Sequence, residues 1–213
     1  MNLVMLAKKT QVDMLQYRGY NIDKEKWILV ADTSDMMEYY AAKINKGKQL
    51  DELLTKTYHM DNGLSTIVCY IFPDKNSNIA LNELDITINK ISNTNLTNRI
   101  LIYDGKFTPQ ATKTIKQLQF KFENGLQLFK FIDLTCNPLD QVDSPQYILL
   151  SKEETRKKLT EMKTSISQIL VMKHEYPIAK FCGWKRGDMI KIIRDDNSLN
   201  YLQPKNINYR IVV

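Results

Sequence analysis

Three clusters of residues in this chain could do chemistry. Pro73-Asp74 follows one apolar run, and Asp104-Gly105-Lys106 follows the next. In metal-dependent nucleases that order lets two carboxylates hold Mg²⁺ while a lysine stabilises developing charge. Asp74, Asp104 and Lys106 therefore define a catalytic alternative. Against it, Gly105 weakens the strand that would aim Lys106, and Asp is common wherever strands give way to loops. The second cluster shares that lysine. Thr108 is an N-cap type and Pro109 suits the first helical position, so a helix N-terminus sits beside Lys106. With Gln110 in its first turn, this segment could cradle a phosphate through backbone N–H groups and the positive helix end. Such contact is sequence-independent and salt-sensitive; the plain alternative is an ordinary cap. The third cluster is Trp184-Lys185-Arg186, an aromatic-basic turn that reads either as an interface anchor or as surface at a core edge. There is no glycine-rich phosphate loop, histidine pair or nucleophile elbow. Cys69, Cys136 and Cys182 form no C-x-x-C pair, and His59 and His174 are not at ligand spacing with them. The sequence predicts no metal and no cofactor, and free thiols in a reducing compartment.

The elements that must position these clusters follow from periodicity and punctuation. A ragged helix runs from Leu3 to Arg18 and ends at Gly19. Asp32-Thr33-Ser34-Asp35 can cap a second helix over Met36 to Ile44, and a third covers Gln49 to Thr57. Asp61-Asn62-Gly63 is a turn signal. Thr66 to Phe72 is apolar on both faces, a buried strand closed by Pro73. Leu81, Leu84, Ile88 and Ile91 recur at helical spacing, and Arg99 to Tyr103 is a second buried strand. The helix opened by Thr108-Pro109 carries Ala111, Ile115, Leu118 and Phe122 on one stripe and closes at Asn124-Gly125. Leu126 to Leu134 reads as a strand. This alternation predicts a small α/β sheet with flanking helices over residues 1–135. Residues 136–146, with Pro138 and Pro145, read as a linker. Residues 147–213 read as a smaller mixed α+β domain of two helices and a short sheet. Ser151-Lys152-Glu153-Glu154 is a capping box. Pro177 opens a short helix that Gly183 closes, and Lys185-Arg186-Gly187-Asp188 turns into the strand Met189 to Arg194.

Of 213 residues, 43% are apolar and 25% charged, which is ordinary for a globular protein. The N-terminus lacks a signal-peptide pattern and no apolar run reaches a membrane span, so the sequence predicts a soluble intracellular protein with no membrane partner. Residues 147–213 hold 13 basic and 7 acidic side chains, whereas 1–146 hold 17 of each. All of the positive excess lies in the C-terminal third. It could face nucleic acid or an acidic protein, and charge alone does not choose.

The run from Pro177 to Arg194 resembles the C-terminal domain of the fifth common subunit of eukaryotic-type RNA polymerases, a family whose archaeal members consist of this domain alone. That family shows D-P-V-A-x-x-x-G-x-K-x-G-x-V-x-K-I-x-R followed by a terminal Y-R-x-V strand, matched here by Tyr209-Arg210-Ile211-Val212. Met14-Leu15-x-x-Arg18-Gly19-Tyr20 resembles the family's M-L-x-x-R-G-Y opening, and Thr108-Pro109-Gln110-Ala111 its helix-opening T-P-x-A. The chain departs at the domain junction, where both histidines of T-E-H-x-L-V-P-x-H are absent. Tyr176 replaces the Asp before Pro177, Asp195 follows Arg194, and the loop 196–206 is longer. Such drift fits a fast-evolving copy, as in a large DNA virus or a divergent protist.

The resemblance implies a non-catalytic polymerase subunit in a hetero-oligomer, in the nucleus if cellular and in a virion or viral factory if viral. It implies a C-terminal assembly domain docked on the largest subunit through Pro177, Phe181, Trp184, Lys185, Arg186, Arg194, Tyr209 and Arg210. It also implies an N-terminal jaw domain beside downstream double-stranded DNA, with Lys106, Thr108, Pro109 and Gln110 nearest it. The other readings are the nuclease above and a free-standing basic nucleic-acid-binding module.

Overall fold

The computed structural model describes residues 2–47, 49–72, 78–92, 96–122, 125–141, 144–194 and 206–213. Its backbone divides into two units, Met1–Cys136 and Asn137–Val213. Expectations that rested on Pro73, Asp74, Asn124, Asp195 and most of the loop 196–206 lie outside the described residues.

The first unit is α/β. It opens with α1 (Asn2–Tyr17), α2 (Lys26–Val30), α3 (Thr33–Ile44) and α4 (Leu50–Leu54). Then come β1 (Lys56–His59), β2 (Ser65–Ile71), β3 (Asn78–Ile79), α5 (Leu81–Ser92), β4 (Asn98–Tyr103), β5 (Lys106–Phe107), α6 (Pro109–Lys121) and β6 (Leu126–Lys130). The main sheet has the order β1-β2-β4-β6. Strands β2, β4 and β6 are parallel, and β1 is antiparallel at the edge. Every residue of β2 is buried, as its two-faced apolarity requires of a central strand. Helices α5 and α6 close one face, where Leu84, Ile91, Ala111 and Ile115 share a core with Ile67, Cys69, Ile71 and Leu101.

The other face is covered by α1, and polar side chains help hold it there. Lys8 on α1 is fully buried. Its Nζ donates to Glu25 Oε2 at 3.0 Å, to Tyr58 OH at 2.9 Å and to Gln11 Oε1 at 2.9 Å. Glu25 also takes Lys56 Nζ at 2.5 Å and the Tyr58 hydroxyl, while Tyr70 on β2 donates to Gln11 Oε1 at 3.2 Å. One carboxylate thus ties α1 to β1.

Three sequence expectations are corrected here. The third helix stops at Leu54, and Lys56-Thr57 belong to β1, because pairing with β2 outweighs local helix propensity. The second helix begins three residues early, at Thr33. The run after Gly125 is a strand only to Lys130; Phe131–Leu134 is a 3₁₀ turn that packs on α1, with Phe131 and Leu134 buried.

The second unit is α+β. Its elements are β7 (Gln146–Leu149), α7 (Lys152–Glu161), β8 (Leu170–Met172), α8 (Pro177–Cys182), β9 (Met189–Arg194) and β10 (Asn206–Val212). The sheet order is β7-β9-β10-β8, antiparallel except for β8 on β10. Ser151 and Glu154 form the expected capping box, and Glu154, held by the Ser151 N–H and hydroxyl, is shifted below the usual carboxylate range. Gly183 ends α8 with φ +71, the left-handed cap that glycine adopts without strain.

Candidate nucleic-acid and partner-subunit interfaces

In the first unit, the parallel strands bring several candidates to one end of the sheet. Crevices outside the carboxyl ends of parallel strands are the usual ligand sites of α/β sheets. Here β4 and β6 end at Tyr103 and Lys130, which pair in register. Beyond them lies a groove of about 510 Å³, lined by Leu3, Asn78, Asp104, Lys106, Lys130 and Ile132. The short parallel ribbon of β3 and β5 fixes the far wall, and the Thr108 N–H donates to Ile79 O at 3.2 Å. That places Thr108 as the N-cap of α6, its Oγ1 accepting from Ala111 N at 3.4 Å.

This geometry trims the helix-end site. Pro109 has no N–H and the Ala111 N–H is taken by Thr108. Of the first three helical residues, only Gln110 keeps an N–H without a partner among the described residues. Attraction for a phosphate must come largely from the exposed Lys106, with Lys130 across the groove. Lys130 was missed in the sequence because nothing local marks it; only strand register sets it opposite Tyr103. The nuclease reading needs Asp74, which lies outside the described residues. Asp104 accepts the Gly105 N–H at 2.9 Å, and no group of three or more metal-ligating side chains forms among the described residues.

In the second unit, the expected interface residues divide between inside and outside. Phe181 is 1% exposed and Trp184 4%. The Trp184 N–H returns to Ala179 O at 3.1 Å through the Gly183 cap, which carries the indole inward, and its ring lies 5.9 Å from that of Tyr147. Phe181 and Trp184, which the resemblance implied as partner contacts, are thus buried within this unit. An aromatic flanked by lysine and arginine looks like surface in a sequence, but a left-handed turn reverses its direction. Pro177, Lys185, Arg186 and Arg194 are exposed, and the Lys185 N–H is bound to Asp188 Oδ2 at 2.6 Å.

Tyr209 and Arg210 follow one another on β10 and so point to opposite faces. Tyr209 lies under Lys158, whose Nζ is 5.3 Å from the ring centre and is paired with Glu161. Arg210 shares its face with Arg194 and with Tyr147, a residue the sequence did not single out. Burial raises the Tyr147 phenol above its ordinary range and Tyr176 pushes the same way, opposed by the charges of Arg194 and Arg210. No helix among the described residues is long and apolar enough to cross a membrane.

Residues 136–212 match the family described as RNA polymerase Rpb5, C-terminal domain. Over 210 residues the chain is 24% identical to the DNA-directed RNA polymerases IV and V subunit 5B of Arabidopsis thaliana, covering 97% of this chain and 88% of that protein. It is 22% identical over 206 residues to the RPABC1 subunit of DNA-directed RNA polymerases I, II and III of Caenorhabditis elegans, covering 97% and 93%. With the corresponding subunit of Dictyostelium discoideum it shares 23% identity over 212 residues, covering 100% and 98%.

Proposed function

Because the chain belongs to the family of the fifth common subunit of DNA-directed RNA polymerases and is a non-catalytic subunit, we propose that its two units divide two tasks. The Asn137–Val213 unit docks on the largest subunit. The Met1–Cys136 unit forms part of the jaw beside downstream DNA. Nucleotide addition belongs to other subunits. The observation that carries the docking reading is that the matched residues 136–212 coincide with a unit that has its own sheet and core. Co-purification of the full chain with the largest subunit tests it. Failure of the folded chain to co-purify would remove the docking reading.

The DNA reading rests on the groove at the strand ends. With 17 basic against 17 acidic side chains in residues 1–146, long-range attraction to a duplex is small and contact is local. Lys106 supplies the charge and the Thr108-Pro109-Gln110 turn supplies the position. Lys106→Glu is expected to loosen downstream DNA modestly, changing the logarithmic salt slope by about 1, with nucleotide addition intact. A photo-crosslinker at position 108 in an assembled elongation complex should reach downstream DNA. A crosslinker there that reaches only protein takes this turn out of the DNA path.

A further inference from the structure

Arg210 has an unmet requirement. Its Nε is buried without a hydrogen-bond partner among the described residues, while the side chain as a whole is half-buried. A guanidinium withdrawn from water is normally fully engaged, since each unsatisfied charged donor is costly. The ion pairs among the described residues are Lys8–Glu25, Lys56–Glu25 and Lys158–Glu161, and none reaches Arg210 or Arg194.

Strand register fixes the surroundings. Leu149, Ile190, Arg210 and Leu170 stand opposite one another across all four strands, so they project from one face. The adjacent row on that face is Tyr147, Ile192 and Asn208, and Arg194 follows Ile192 by two residues. Ile190 and Ile192 are buried, whereas Leu149 is 49% and Leu170 63% exposed. Half-buried Tyr147 lies within electrostatic reach of both arginines and of exposed Tyr176. Ile190 is fully buried and Trp184 packs on Tyr147, so the unit's own chain covers the middle of this face. The open part is the β10–β8 margin, where a partly desolvated guanidinium lies beside exposed Leu170. A planar guanidinium is preformed for a carboxylate, and tyrosine and arginine are frequent anchors of protein interfaces.

We propose that the β10–β8 margin of this face takes a segment of another polymerase subunit that presents an aspartate or glutamate to Arg210, with an aliphatic side chain over Leu170. The inference rests on the docking reading and narrows it to one face and one partner chemistry. Charge agrees, because residues 147–213 hold 13 basic and 7 acidic side chains. Nucleic acid would satisfy the arginines and leave Leu170 facing phosphate and water, so the apolar flank favours protein.

The test uses the full chain co-expressed with the largest polymerase subunit. Arg210→Glu should lower co-purification by about thirtyfold or more, as loss of one partner of a desolvated charge pair does. Arg194→Glu should act in the same direction and less. Lys158→Glu, on the opposite face, should co-purify like the parent. Arg210→Gln, uncharged and smaller, serves where the glutamate variant does not fold, and circular dichroism checks each. A photo-crosslinker at Tyr176 should capture a peptide containing an acidic residue, and reversing that residue to arginine should rescue Arg210→Glu. If folded Arg210 variants co-purify as well as the parent, the inference is wrong while docking stands. Failure of the parent itself would sink both. Capture of no polymerase subunit at position 176, or loss of duplex binding by anisotropy with co-purification intact, overturns the inference as well.

Discussion

Glu25→Gln is expected to destabilise the first unit by about 3–5 kcal/mol, because it strands a fully buried ammonium without its counter-charge. Replacing both charges together, as in Lys8→Met with Glu25→Gln, should cost less than the single change, since no buried charge remains unpaired. The pH dependence separates this account from simple loss of packing. Burial lowers the Lys8 ammonium from 10.5 to about 8, and Glu25 opposes that fall. Burial alone would raise the Glu25 carboxyl, but Lys8, Lys56 and Tyr58 overcome it and hold it below 4.5.

A depressed carboxylate contributes stability that is present above its unfolded value and lost as pH falls through the folded one. The parent should therefore lose stability below about pH 4.5, and the glutamine variant should lack that slope. A depressed lysine works in the other sense. Between its folded and unfolded values the unfolded chain holds the extra proton, so stability rises with pH from about 8 towards 10.5. With Glu25 gone, the folded value falls further and the rise should begin at lower pH. Urea unfolding across pH reads both limbs. A variant with the parent's acid slope and no earlier alkaline rise would show that the pair is not ionised as described.

Trp184→Ala is expected to cost about 3–5 kcal/mol in the second unit, the usual penalty for removing a buried aromatic ring. The two tryptophans make this readable, because Trp27 lies in the first unit and Trp184 in the second. Far-UV circular dichroism should show an early transition from residues 137–213, while Trp27 fluorescence reports the first unit separately. A variant that unfolds like the parent yet loses the largest subunit would make Trp184 a contact residue and overturn its placement in the core.

What the sequence disclosed was whatever local chemistry decides. The Thr108 cap, the Ser151–Glu154 box and the left-handed Gly183 each depend on a few adjacent residues and stand as expected. The run from Thr66 to Phe72 was legible as a central strand because both of its faces are apolar, and β2 covers Ser65–Ile71. Positions set by pairing were not legible. Lys56 and Thr57 follow a helical segment and look like its last turn until β2 is laid beside them. The Lys8, Glu25, Tyr58 and Tyr70 cluster draws on four separate segments, and no periodicity announces it. Arg210 was visible as part of a terminal motif, but its orphaned Nε and the leucine beside it exist only once β8, β9 and β10 are in register.

Strand order in the second unit also sets a timetable for the newly made protein. Among the described strands, β8 has β10 as its only sheet neighbour, and β10 is the last of them in sequence. On the ribosome, residues 170–172 therefore wait for residues 206–212, with Met172, buried in the finished sheet, bare in the interval. The first unit is fully synthesised at residue 136, and the 76 residues from there to 212 take about 4–15 seconds at about 5–20 residues per second. A half-made molecule thus already has its first unit and lacks Arg210 altogether. A polymerase that selects subunits by that face would pass over every copy whose translation stopped short of β10.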